Sequence, residues 1–353
     1  MRFLRRPERL TRLGVILWAF RIALIVFVLA GSYATLSGAS GPVLSPEGWR
    51  DLVIFGVAQG SVYALIALGY TLVYGILFMI NFAHGEIFMA GAFTGFFVAV
   101  ALAEEGIMEA NPVLGIAILL LSSMITSMIV AVLLERIAYR PLRRAPRLVP
   151  LITAIGASLV LQYSFRGIYG SGVRAYPLPD AIQGRVEILG IPILRSQLIV
   201  VIAAVGLMFA LYYLVEKTRT GRSMRAVSED KEVAALMGIN VDRTIATTFA
   251  IGGLLAGAAG VLYVFIFNQV SFAMGFLPGI KAFTAAVLGG IGNIVGAMLG
   301  GLTLGILESV GPFLLLSGFG VPSTNQLRDV IAFSMLVIVL IFRPYGILGR
   351  KES

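Results

Sequence analysis

Cysteine is absent from the 353 residues, and histidine occurs once, as His84. Thiol catalysis, disulfides and cysteine-held metals are excluded, and one histidine cannot build a multi-histidine metal site within one chain. The four lysines, Lys217, Lys231, Lys281 and Lys351, never follow a glycine, so the phosphate-cradling G-x-x-x-x-G-K-[ST] loop does not exist here. Any use of ATP must be made by another chain. Charge is scarce: 13% of residues are charged and 58% hydrophobic, where a soluble domain carries about 25% charged residues. No metal and no cofactor is expected, and His84 lacks the companion nucleophile a catalytic role would need.

What fills the chain is apolar sequence in stretches of 17 residues or more, each about long enough to cross a bilayer as a helix. The expected fold class is all-α: a polytopic integral membrane bundle of about ten spans with broken helices. The spans read as 13–36, 52–70, 86–103, 113–134, 148–166, 198–216, 244–267, 279–291, 293–316 and 326–342. The segment 279–291 is too short for a full crossing and reads as half of a broken helix, and 71–85 is a candidate for another. The net charge of +9 does not indicate nucleic acid, because the basic residues flank apolar spans. Clusters at Arg2–Arg12, Arg136–Arg147, Lys217–Arg243 and Arg343–Lys351 hold 19 of the 27 lysines and arginines. Basic clusters stay on the cytoplasmic side, and ten crossings put all four clusters and both termini there. Residues 167–197 then form an external loop, structured by Pro177, Pro179 and Pro192.

Residues 1–36 allow two readings: a retained helix, or a cleaved signal segment with Ser37-Gly38-Ala39 as the cleavage site. With the retained helix, 1–50 is an N-terminal extension with one extra span and 51–353 is the main domain; either outcome leaves the remaining topology unchanged.

Small residues recur at four-residue spacing in three rows: Gly56, Gly60 and Ala64; Gly253 and Gly257 with Ala256 and Gly260; and Gly292, Gly296 and Gly300, followed by Gly301 and Gly305. Such rows let helix backbones approach in lipid. They indicate a compact bundle and no particular activity. The densest polar group in an apolar context is INFAHGE at 80–86. Polar side chains at membrane depth are costly and face a cavity or a partner. Asn81, His84 and Glu86 either line a path at a discontinuous helix or satisfy its broken backbone ends. Asn293 holds the corresponding place in the second irregular region, 279–296. Lys281 and Glu308 are further intramembrane candidates, readable as an interface pair, and Glu308 shares the face of Gly301 and Gly305.

A polar island, Glu216–Arg243, separates two apolar spans. Its second half reads as a short helix, capped by Ser228, with Glu229, Asp230 and Glu232 in the first turn. Gly238 stands at its C-terminal stop. Val233, Leu236 and Met237 share one face, which needs a partner groove unless it is a solvated amphipathic turn. Glu232, Ala234, Ala235, Gly238 and Ile239 approximate a pattern that resembles the helix ABC importer permeases insert into their ATPase subunits. The expected coupling segment is therefore Glu232, Val233, Ala234, Ala235, Leu236, Met237 and Gly238.

From Gly56 onward the chain resembles the H-type permease subunit of branched-chain amino acid ABC importers. The resemblance rests on YALIALGYTLVYGILFMINFAHGE at 63–86, ERIAYRPLRR at 135–144, LITAIGAS at 151–158 and GINVDR at 238–243. KAFTAAVLGGIGNIVGAMLGG at 281–301 and RPYGILGR at 343–350 complete it. It covers about six-sevenths of the chain, and the extension 1–50 departs from it. The resemblance implies a bacterial inner-membrane importer. Its partners would be a second related permease, two ATP-binding subunits and a periplasmic substrate-binding protein that delivers leucine, isoleucine or valine. A permease for another small solute, such as urea or an aromatic acid, is the alternative within the class. An ion-coupled secondary transporter or channel is the alternative outside it. Neighbouring genes for ATPases and a binding protein would separate the two classes.

Overall fold

The computed structural model describes residues 12–38, 44–143, 145–146, 148–343 and 345–349. Arg2, Arg5, Arg6, Arg9, Arg144, Arg147, Arg350 and Lys351 of the basic clusters, and Ala39 of the candidate cleavage site, lie outside the described residues. Nine helices among the described residues are long and apolar enough to cross a membrane, and a tenth, shorter apolar helix lies among them.

The helices in chain order are α1 (Arg12–Leu36), α2 (Pro46–Leu77), α3 (His84–Glu104), α4 (Ile107–Ala110), α5 (Pro112–Leu134) and α6 (Leu148–Tyr169). They continue as α7 (Arg195–Lys217), α8 (Arg219–Glu229), α9 (Lys231–Leu236), α10 (Val241–Phe267), α11 (Phe276–Gly289), α12 (Ile294–Leu316) and α13 (Arg328–Phe342). Strands β1 (Arg174–Ala175) and β4 (Gln269–Val270) pair antiparallel, and β2 (Arg185–Ile188) with β3 (Ile191–Leu194) forms a hairpin in the loop read as external.

Most ends follow from local chemistry. Ser45 accepts from the Gly48 N–H at 3.2 Å, with Pro46 and Glu47 in the first turn, so α2 starts six residues before the expected 52. It runs on to Leu77, so 71–77 is helix and the break falls only at 78–83, where Phe78 turns left-handed at φ 55°. Asn111, Asn240 and Asn293 cap α5, α10 and α12 in the same way.

At the centre lies α2, its residues Ala64 to Leu68 fully buried, packed by α12, α10, α11 and α7. Two of the small-residue rows are the two sides of one interface. A Cβ on Gly60 would sit 2.9 Å from the Gly301 carbonyl oxygen, and one on Gly56 2.8 Å from Ile306 Cα. The row on α10 meets α5, where a Cβ on Gly257 would fall 2.5 Å from the Ser123 carbonyl oxygen. Ser123 and Ser127 donate to the carbonyls of Gly257 and Ile87, each at 2.8 Å, which pins α5 to its neighbours without exposing polar groups to lipid. Gly296 and Gly300 face the backbone of α11. Gly292 departs from the expected row: it is a turn residue at φ 91° with open space beside it, where only glycine is free of strain.

The periphery is different. Helix α1 leaves Ile16, Trp18, Ile22, Ile25 and Leu29 exposed, and touches the bundle along one side. Phe27 stacks on Phe319 at 5.7 Å and Thr35 accepts from the Gly318 N–H. The carboxyl-terminal turn 345–349 returns to α11, where Ile347 and Leu348 N–H groups donate to the Leu288 and Gly289 carbonyls. The half-length helix thus has its last carbonyls satisfied inside the protein.

Candidate functional site: a charged cavity, a sealed break and an exposed loop helix

At the end of the bundle where α2 and α13 begin and α10 finishes, a cavity of about 340 Å³ opens. Its lining includes the Tyr263 and Phe267 rings, Leu277 and Pro278. It also includes an ion network. Lys281 Nζ lies 2.7 Å from Glu308 and 2.6 Å from Asp329, and Gln59 Nε2 donates to the same Glu308 oxygen at 2.9 Å. The Tyr63 hydroxyl reaches that oxygen at 3.3 Å. Lys281 is 7% and Glu308 2% exposed, so the pair is a desolvated charge group held by geometry. Three polar atoms there have no partner among the described residues: Gln59 Oε1, Glu308 Oε2 and Arg328 Nε. Arg328 is placed by its donation to Asn325 at 2.9 Å and by Phe55, whose ring lies 5.2 Å from the guanidinium.

The break at 78–83 lies alongside α11. Gly85 meets Gly275 and Gly279 at the start of α11, and Ile80 meets Ile291 just past its end. Asn81 accepts from the Tyr139 hydroxyl at 2.7 Å, and its backbone carbonyl accepts from the His84 N–H. The His84 ring packs edge-on against Tyr70 at 4.8 Å, with Gly69 beside it. Glu86 accepts from Ser158 at 3.3 Å and, among the described residues, from no cation. All three are at most 2% exposed, and Asn81 Nδ2, His84 Nε2 and Glu86 Oε2 stay unpartnered. Beside them lies a small pocket of about 10 Å³, ringed by Tyr70, Tyr74, Ile80, Phe283, Ala286 and Ile291. That admits at most one water, and the ring offers it little to bond.

At the far end from the cavity, α8 and α9 form a bent pair between α7 and α10. The cap of α9 is Asp230, which accepts from Glu232 and Val233 N–H groups, and not Ser228; the Ser228 hydroxyl donates inside α8 to the Arg225 carbonyl. Glu229 and Asp230 therefore precede α9, and Glu232 alone is acidic in its first turn. Gly238 turns at φ 83°. Ala234 is buried at 3%, while Val233, Leu236 and Met237 are 53%, 87% and 78% exposed. A charged clamp lies beside the pair. Glu135, fully buried, takes Arg143, which also holds Asp242 at the start of α10; Arg140 reaches Asp242 at 3.2 Å. Partial burial, and then the Arg143 guanidinium, hold Lys231 below the usual lysine pKa.

The structure thus brings Asn81, His84 and Glu86 to one region. Asn293 is separate in role: its side chain caps α12 through Gly296 and donates to the Leu348 carbonyl at 3.0 Å. Sequence reasoning singled out Lys281 and Glu308. It missed Gln59, Tyr63, Arg328 and Asp329, which complete the cavity, and Tyr139 and Ser158, which hold the break. A glutamine and a tyrosine four apart on an apolar helix were the available signal for Gln59 and Tyr63.

A family model described as branched-chain amino acid transport system / permease component matches residues 52–340. The high-affinity branched-chain amino acid transport system permease protein BraD of Pseudomonas aeruginosa is 45% identical over 303 residues, covering 85% of this chain and 95% of that protein. The corresponding permease protein LivH of Escherichia coli is 42% identical over 306 residues, 84% of this chain and 94% of its own. A shorter match, 34% over 114 residues and 31% of this chain, is to the fructose import permease protein FrcC of Rhizobium meliloti.

Proposed function

The chain belongs to the family of branched-chain amino acid transport system permease components, and on that premise we propose how it works. It is a multi-pass membrane permease subunit of a branched-chain amino acid ABC importer. ATP is hydrolysed on two separate subunits, a second related permease completes the channel, and a periplasmic binding protein supplies leucine, isoleucine or valine. The membrane is the bacterial inner membrane, with both termini and the α8–α9 pair on the cytoplasmic side. The cavity then opens outward and the break at 78–86 faces inward, with Asn81, His84 and Glu86 beside the path. Residues 1–50 are an addition to a permease unit that spans 51–353.

The observation that carries this reading is α9. Val233 and Leu236 on a six-residue helix, and Met237 at its C-cap, stand exposed, and a cytoplasmic partner groove is what would cover them. Replacing Leu236 by Asp puts an unpaired charge into that groove. Co-purification of the ATPase subunits and amino acid uptake should both fall, with membrane insertion unchanged. Normal ATPase association in this variant would refute the coupling role. The orientation has its own test, since the chain is free of cysteine. A cysteine at Ser171 should react with an impermeant maleimide from outside and one at Ser223 should not; the reverse overturns the topology.

A further inference from the structure

We infer that the irregular turn that ends α5 is a positioning element of transport: Glu135 and Tyr139 tie the α8–α9 pair to the break at 78–83, so that a partner seated on the pair acts on the break. The inference rests on the importer reading above. It gives Glu135, Tyr139, Arg143 and Asp242 a role in coupling. The turn itself follows from Pro141. A proline has no N–H, and its ring clashes with the carbonyl four residues back, so α-helical winding does not pass it undisturbed. Beyond Leu134 the chain takes one π-turn, Glu135–Tyr139, in which the Arg140 N–H donates to the Glu135 carbonyl. A 3-10 turn, Arg140–Leu142, comes next. Irregular winding of this kind recurs at functional sites and hinges. Glu135 is 0% and Tyr139 1% exposed, so both side chains of the turn that carry a polar group at their tip point inward.

Glu135 faces the loop pair. Arg143 bridges it to Asp242, in the first turn of α10, and Arg140 adds a contact to Asp242 at 3.2 Å. A buried carboxylate is costly to leave without its cation, so this bridge holds its geometry. Asp242 is joined to α9 through the chain. Residues 237–240 link the two helices, and the Ile239 N–H donates back to the Ala234 carbonyl at 3.1 Å. A displacement of α9 therefore reaches Asp242 over a short bonded path.

Tyr139 faces the break. Its hydroxyl donates to Asn81 Oδ1 at 2.7 Å, and among the described residues it is the one partner of the Asn81 side chain. The Tyr139 ring also packs on Phe249 of α10 at 5.5 Å, about two turns beyond Asp242. The irregular turn thus grips α10 at two levels, and the two move together. Coupling further needs an element with two arrangements that both ends bias. The break meets that need. Asn81 Nδ2 and His84 Nε2 are buried without a partner here, a cost that a second arrangement can relieve. The bond from Tyr139 to Asn81 is what holds the present one.

The test uses the complete transporter in proteoliposomes, with its ATPase subunits and binding protein, and reads ATP hydrolysis and leucine uptake side by side. Tyr139→Phe removes the hydroxyl and keeps the ring against Phe249. ATPase association and hydrolysis should stay at the parent level, and leucine taken up per ATP should fall several-fold. Asp242→Asn loosens the other end of the link and should lower the same ratio. Both changes act on one path, so the double variant should lose no more than the more damaging single one. Arg143→Lys keeps the charge and should retain part of the ratio that Arg143→Gln loses. If Asp242→Asn does not assemble, Arg143→Lys takes its place in the double variant. The parent ratio of uptake to hydrolysis in Tyr139→Phe overturns the inference, whether yield is normal or reduced, because a purely structural residue lowers both activities together. Losses that multiply in the double variant overturn it as well. Either result, with the parent transporting leucine, removes this inference alone. A parent that takes up no branched-chain amino acid removes the importer reading and the inference with it.

Discussion

The cavity and the break at 78–86 are both polar regions inside an apolar bundle, and they solve the problem of buried polarity in opposite ways. In the cavity, opposite charges come from three helices and pair at 2.6–2.7 Å around Lys281. The space between them stays open at about 340 Å³. In the break, polar groups have partners too weak to compensate a charge: a tyrosine for Asn81, a serine for Glu86, and ring packing for His84. The pocket beside it holds only about 10 Å³. An open charged pocket has room for a solute, whereas the small pocket beside the break has not. The contrast teaches that polarity at membrane depth does not by itself mark a binding site: pairing and volume decide.

The largest expected effect breaks the cavity's network. Lys281→Met leaves Glu308 buried without its ammonium partner, and removing one member of such a pair costs about 3–5 kcal/mol. Folded yield and melting temperature of the purified permease should drop sharply. Glu86→Gln, in contrast, removes no ion pair and keeps an acceptor for Ser158. Its cost should stay near ~1 kcal/mol, the scale of one hydrogen bond. Equal losses in the two variants would erase the distinction between the regions.

A smaller effect sharpens the same comparison through volume. His84 is 1% exposed, with Tyr70 and the Gly69 backbone against its ring. His84→Trp overpacks this place, at a cost of about 1–3 kcal/mol, so folded yield should fall with uptake. Leu277 is 44% exposed and lines the cavity. Leu277→Trp should fold within about 0.5 kcal/mol of the parent, as an exposed change does, and should still lose uptake by filling the space. Wild-type yield and uptake in His84→Trp would refute both the pathway and the structural role of that residue.

How far the sequence announces all this depends on the range of the forces involved. The spans are legible because each apolar run is long and the bilayer fixes its length. The short α11 is legible for the same reason, since 279–291 cannot cross. The true start of α2 was missed because Arg50 and Asp51 interrupt the apolar run, although Ser45, Pro46 and Glu47 carry the start signal. At α9, Ser228 and Asp230 are both good caps. A preceding helix, α8, absorbs Ser228, which local pattern alone does not reveal. Glu308 and Lys281 stand out singly as charges in apolar context. Their pairing, and the arrival of Asp329 and Gln59, are tertiary facts. Arg328 and Asp329 read as the start of a span, where charge is ordinary. Gly292 looked like one step of a packing row until the turn after α11 claimed it.

The most direct measurement of the account is paired cysteine accessibility in the assembled transporter, reconstituted with its ATPase subunits. Gln326→Cys reports the cavity and Ile80→Cys the constriction. Without ATP, an impermeant maleimide should modify Gln326→Cys readily and leave Ile80→Cys untouched from either face. During ATP turnover Ile80→Cys should become reactive from the cytoplasmic face. Reaction of Ile80→Cys without ATP at the rate of Gln326→Cys would contradict the proposal of an outward-opening cavity and an inward-facing break beside the path that opens only during transport.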